Sequence, residues 1–487
     1  MAEFDLVVRN GRVVTAQDDV ECDIGVKDGR VAMLGRDLPR GKLDVDATGR
    51  LVLPGGVDSH CHIEQLSSAG IMNADDFHSG TVSAAFGGTT TVIPFAAQHR
   101  GKSAAAAVED YRRKAGPKAV IDYAFHLILT DPTAVVMREE LPRLIREGIT
   151  SLKVYMTYEL MKLDDYSLLE VLTAARSLGA LTMIHAENHD VIRWMGQRLL
   201  ERGHTAPKYH AIAHARAAEG EATHRAIRLA ELADAPVLIV HVSAAEAMEE
   251  IRAARARGLK VFGETCPQYL FLTAKDLDRA GYEGAKFCCS PPPRDEAAQE
   301  AIWRGLRDGT FQIYSSDHAP YKFDASGKLW RGPTPTFKEI PMGIPGLELR
   351  MPLLFSEGVG KGRLTLQQMV SLGCTEPARL YGLYPRKGTI AVGSDADLAI
   401  WNPERRTDIV PGTIHDNTGY SPYEGRTLIG WPDTVVCRGR TIVQEGKLVA
   451  ERGSGTFLPC EKPSSAVPLG RLMPELDPER NFGAKIL

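Results

Sequence analysis

The chain has 487 residues, of which 44% are hydrophobic and 25% charged, and its formal net charge is −4. That length exceeds one ordinary domain, and the composition is that of a soluble globular protein. The weak negative charge and the lack of a basic block give no electrostatic case for nucleic acid or an anionic membrane as partner.

The first residues, Met1-Ala-Glu-Phe4, do not have the pattern of a secretion signal, and no apolar stretch reaches the length of a membrane span. The eight cysteines are scattered, with Cys288 and Cys289 adjacent and no CxxC, which predicts reduced thiols and a cytoplasmic protein. Residues 4–48 read as short strands bounded by Asn, Gly and Asp, as in a small antiparallel sheet. From about residue 51 strands alternate with helix-length segments. The eight candidate strands are 51–62, Thr89–Phe95, Val120–Leu129, Thr150–Met156, Ala180–Ala186, Pro236–Ser243, Leu259–Glu264 and Phe311–Asp317. Helices such as Ala215–Ala233 and Ala244–Arg257 fall between them. Eight such repeats predict an α/β fold, a (β/α)8 TIM barrel at 55–384. A doubly wound sheet is the rival, but no Gly-rich nucleotide loop follows the first strand. Strand grammar returns after about 385, so residues 1–54 and 385–451 are expected to form one β-sandwich from both chain ends. Residues 452–487, rich in Gly, Pro and Ser, read as a C-terminal tail, either disordered or an oligomerisation arm.

His60 and His62 stand at i and i+2 at the end of the first strand, so both imidazoles share a face. His185 closes the fifth strand, His241 the sixth and Asp317 the eighth. Strand C-terminal ends meet at the mouth of a TIM barrel, so the five groups predict a metal site. Lys153 sits within the fourth strand, where a free ammonium is costly to bury. It either reaches the mouth and pairs with a carboxylate such as Asp317, or carries a carbamate able to bridge two metals. His126, His189 and His224 read as structural or solvated.

His60-Cys-His62, Lys153, His185-Ala-Glu-Asn, His241 and Ser316-Asp317-His318 together resemble the cyclic-amide branch of the amidohydrolase superfamily, above all its dihydropyrimidinase and D-hydantoinase group. The resemblance runs from residue 4 to about 450 and includes Leu53-Pro-Gly-Gly-Val-Asp, Gly87-Gly-Thr-Thr, Ser290-Pro-Pro and Gly393-Ser-Asp-Ala-Asp-Leu. It implies two zinc ions per subunit, bridged by N6-carboxylated Lys153 and a hydroxide. His60, His62 and Asp317 would hold the more buried ion, and His185 and His241 the more exposed one. It also implies Asp317 as proton carrier, Tyr158 as oxyanion donor, and substrate contacts at Tyr158, Ser290 and Met342. Relatives usually carry Asn at the place of Met342, which alters the pocket wall. Leu66, Ile71, Met72, Tyr155, Leu160 and Met161 would form a lid, apolar enough to favour hydrophobic substituents. The implied activity is hydrolysis of a small cyclic amide to an N-carbamoyl amino acid by a homo-oligomer, a tetramer or dimer. Allantoinase is the nearest alternative, since Asp317-His-Ala-Pro-Tyr and Met342-Gly-Ile-Pro lean toward it. Dihydroorotase fits less well, because Glu64 stands where an Arg would meet a substrate carboxylate. A non-enzymatic scaffold of the same fold is disfavoured by the full set of ligands.

Overall fold

The structure, a computed structural model, describes residues 3–67 and 69–486; Ser68, inside the expected lid loop, lies outside the described residues, as do Met1, Ala2 and Leu487. Eight parallel strands follow one another in sequence order: Gly56–Cys61, Thr89–Ala97, His126–Ile128, Ser151–Tyr155, Leu181–His185, Val237–Ile239, Val261–Thr265 and Ile313–Tyr314. Their residues are almost all buried, as expected of strands covered on both faces. The last strand returns to the first. Cys61 bridges His318 in parallel, the His62 N–H donates to the His318 carbonyl at 2.6 Å, and Ser316 Oγ donates to the His60 carbonyl at 3.1 Å. A doubly wound sheet would leave these edges open, so the sheet is a closed TIM barrel. Helices Arg216–Leu232 and Ala245–Ala256 stand where the alanine-rich segments predict them.

The third expected strand, 120–129, is split into Asp122–Tyr123 and His126–Ile128. The Tyr123 N–H donates to the Thr456 carbonyl, and the Leu458 N–H to the Tyr123 carbonyl at 2.7 Å, so the C-terminal segment takes up the backbone groups there. This segment continues along its own chain. Cys460 N–H reaches the Gly148 carbonyl, and the Leu469 and Gly470 amides reach the Asp234 carboxylate.

The two chain ends share one nine-stranded sheet, in which Leu51–Pro54 pairs with Leu6–Val14 on one side and Leu398–Asp408 on the other. Val31 near one edge and Val436 near the other share a hydrophobic cluster with Ile24, Val52 and Ile400, so the sheet folds over itself as a β-sandwich. At the start of the run of expected short strands, Leu6–Val14 is one continuous strand with a bulge at Asn10. Asn10 has φ of 57°, and its N–H is taken by Asp23 at 2.9 Å. The chain then crosses from sandwich to barrel at Gly55, where a Cβ would overlap the Thr90 side chain. At this seam Lys387 is fully buried, with Nζ at 2.7 Å from Asp122, 2.8 Å from Asp397 and 3.1 Å from Asp395. Asp122 also receives Arg438 at 2.9 Å and the Thr456 N–H at 3.0 Å, so barrel, sandwich and C-terminal segment meet on one carboxylate.

Candidate active site

The strand ends bring six chemically capable side chains to one cavity of about 540 Å³: His60, His62, Lys153, His185, His241 and Asp317. One Asp317 carboxylate oxygen lies 3.3 Å from His60 Nε2 and 3.4 Å from His62 Nε2, and the three groups can offer ligand atoms within 4.8 Å of one another. The His241 ring centroid is 5.4 Å from that of His60 and 4.4 Å from that of His185, so the second pair of imidazoles adjoins the first set. Burial, reinforced at His60 by Lys153 and at His241 by His185, drives both imidazoles well below their ordinary pKa. Both are therefore neutral, the form that binds metal. Burial would raise Asp317, but His60, His62 and Lys153 outweigh it and hold the carboxyl below its usual range.

Other side chains hold these groups in place. Glu264 Oε1 pairs with His60 Nδ1 at 2.6 Å and accepts the His241 N–H at 3.2 Å. Gln65 Oε1 pairs with His62 Nδ1 at 2.8 Å. Glu187 pairs with His185 Nε2 at 2.7 Å through one oxygen and with His214 at 2.8 Å through the other. Such partners fix the tautomer and rotation of a ligating imidazole. Sequence reasoning did not pair any of them with an imidazole; the available signals were that Glu187 stands in His185-Ala-Glu-Asn and that Glu264 stands near the end of an apolar strand.

Among the described residues, Lys153 Nζ, His60 Nε2 and His241 Nδ1 are buried with no hydrogen-bond partner. Burial pushes the Lys153 ammonium down to about 8 against the opposing pull of Glu264 and Asp317. Buried polar atoms are seldom left unpaired, and three converging on one cavity fit a site built for something held between them. Imidazole nitrogens with a carboxylate oxygen suit divalent metals of the zinc type.

The Amidohydrolase family pattern matches residues 51–442. The chain belongs to the amidohydrolase family. It is 46% identical to the D-hydantoinase of Geobacillus stearothermophilus, over 93% of this chain and 96% of that one. It is 44% identical to the D-hydantoinase of Ralstonia pickettii, over 94% and 99%. The crystal structure of dihydropyrimidinase from Brevibacillus agri NCHU1002 superposes with a TM-score of 0.91 at 42% identity, covering 94% of this chain and 99% of that one. Within the amidohydrolases the chain thus falls in the dihydropyrimidinase and D-hydantoinase group and is a cyclic amidohydrolase.

In this amidohydrolase Tyr158, Ser290 and Met342 line the same cavity as the six converging side chains. Tyr158 has φ of 67°, His241 40° and Asp317 47°, so three non-glycine residues of the site sit in the left-handed region. Such backbone persists only where the surroundings impose it. Burial raises the Tyr158 phenol well above its ordinary value, which keeps its O–H a donor. Of the six expected lid residues, Leu66, Tyr155, Leu160 and Met161 line the cavity, whereas Ile71 and Met72 lie outside the lining set. Ile71 packs under the loop against Ala319 and Tyr321, while Met72 bridges back to Leu66 and is solvent-exposed. Glu64 pairs with Lys118 at 2.7 Å and is likewise outside that lining. His126 is a core group held by Ser151 and the Ser59 carbonyl; His189 and His224 pair with Glu159 and Glu250. Among the described residues no helix is long and apolar enough to cross a membrane.

Proposed function

We propose that the protein is a metal-dependent hydrolase that opens the cyclic amide bond of dihydropyrimidines or 5-substituted hydantoins, adding water across the C–N bond to give N-carbamoyl amino acids. The observation that carries this reading is the meeting of three histidine-bearing strand ends with Asp317 around a buried, unpartnered Lys153 amine. His60, His62 and Asp317 would hold one zinc ion and His185 and His241 a second. Lys153 would serve both as a carbamate, formed when its amine adds to carbon dioxide and loses a proton. Bound there, the metals would lower the pKa of water toward neutrality and polarise the carbonyl under attack.

The chain's own groups then have separable tasks. Asp317, its carboxyl held below the usual range, accepts a proton from the attacking water and returns it to the departing ring nitrogen. The Tyr158 hydroxyl donates to the oxygen on which charge develops. Backbone groups at Ser290 and Met342 hold the ring, and Leu66, Tyr155, Leu160 and Met161 enclose its substituent. The D-hydantoinase relatives favour this reading over allantoin. Eight unpaired cysteines support a reducing compartment, the cytoplasm, and a homo-oligomer is the expected assembly, checked by light scattering.

The test is ring opening of dihydrouracil, 5-phenylhydantoin and allantoin by one zinc-loaded preparation and its chelated control. Turnover of the first two that disappears with the metal is expected. Turnover of allantoin alone would replace the proposed substrate. A carbamate carbon resonance after exchange with labelled bicarbonate, absent from Lys153→Ala, checks the bridge independently of activity.

A further inference from the structure

Lys328 is fully buried, outside the set of candidate ligands, and its ammonium is spent on three backbone carbonyls. Nζ donates to the Cys288 carbonyl at 2.8 Å, the Pro341 carbonyl at 2.7 Å and the Gly343 carbonyl at 2.6 Å. Among the described residues no carboxylate pairs with it. A buried ammonium without a counter-ion is costly, and packing alone would be served better by an apolar side chain. Three donors matched to three carbonyls mark a group whose task is to hold backbone.

The backbone it holds borders the cavity. Ser290 lies two residues beyond Cys288, and Met342 lies between Pro341 and Gly343; Ser290, Pro341, Met342 and Gly343 all line the cavity. Among the described residues the N–H and C=O of Ser290 and of Met342 find no protein partner, although Ser290 is buried. The Gly343 N–H donates to the same Cys288 carbonyl at 3.0 Å, so the two loops are clasped directly as well. The Pro341 carbonyl and the Met342 N–H belong to one peptide unit. A charge-assisted hydrogen bond to that carbonyl polarises the unit and strengthens the N–H as a donor.

We infer that Lys328 is a positioning residue for substrate binding: it sets the spacing of the Ser290 and Met342 loops and polarises the Met342 amide that meets the cyclic imide. The inference rests on the ring-opening reading above. A merely structural lysine would, on replacement, lower thermal stability and the active fraction while leaving KM alone. Lys328→Met is expected to raise KM for dihydrouracil roughly tenfold, the loss of about one backbone contact, with kcat within a few-fold and metal content unchanged. Lys328→Gln, which keeps an N–H donor, should fall between the two. An unchanged KM in folded, metal-loaded Lys328→Met overturns the inference; if that variant does not fold, an unchanged KM in Lys328→Gln does so. Wild-type protein inert toward both dihydrouracil and 5-phenylhydantoin would instead overturn the functional reading, and the role of Lys328 with it.

Discussion

Tyr158 shows how one residue ties backbone strain to chemistry. Its φ of 67° is a conformation that costs of order 1–3 kcal/mol for a bulky side chain, and the turn repays it by giving the Tyr158 carbonyl two amides, those of Met161 and Lys162, at 2.9 and 2.8 Å. The result is a phenol kept protonated beside His185, with ring centroids 5.3 Å apart. Tyr158→Phe should keep the turn and its packing while losing the donor. We expect kcat to fall by ~10²–10³ with KM and thermal midpoint nearly unchanged, in steady-state kinetics on dihydrouracil. A fall of less than threefold would remove Tyr158 from the oxyanion. The residue was legible because it stands five positions after Lys153 in a segment that resembles the family. Its strain was not, since φ is imposed by tertiary contacts that single-sequence patterns do not carry.

At the scale of elements, the turn that carries Tyr158, Leu160 and Met161 is clamped from outside by Arg100, whose guanidinium donates to the Leu160 carbonyl at 3.1 Å and the Lys162 carbonyl at 2.8 Å. Arg100 also borders the cavity. Arg100→Ala should loosen the lid without touching the ligands. KM for 5-phenylhydantoin is expected to rise roughly three- to tenfold, the effect of one or two exposed charge-assisted hydrogen bonds, while KM for dihydrouracil, which has no substituent for the lid to cover, stays within twofold. Equal shifts for both substrates would show that the turn does not discriminate substituents. The strands and the polar side chains that close them could be read from the sequence because one polar residue closing a buried apolar run is a local pattern. Arg100, Glu187, Glu264 and Lys328 could not. Arg100, Glu264 and Lys328 act on partners that only the tertiary fold brings near, and Glu187, though two residues from His185, also takes up the distant His214. The misplacement of Ile71 and Met72 has the same origin, since an apolar residue in a loop can face the cavity or pack beneath the loop.

For the whole molecule, the seam around Lys387 lies at the opposite end of the strands from the ligands, where Asp122 begins the third strand's course. Lys387 faces Asp122, Asp395 and Asp397 with all four side chains almost fully buried, so the lysine is what allows three carboxylates to remain together out of water. Removing one partner of a buried ion network typically costs about 3–5 kcal/mol, because the charges left behind are uncompensated. Lys387→Met should therefore lower the free energy of urea unfolding by about that amount, while KM and kcat at 25 °C stay close to wild type. Separate unfolding of sandwich and barrel in that variant, seen as two transitions where wild type shows one, would identify the seam as the link that makes them unfold together. If stability holds but KM rises, the seam must instead communicate with the mouth through the Asp122–Tyr123 backbone, which the C-terminal segment grips at Thr456 and Leu458.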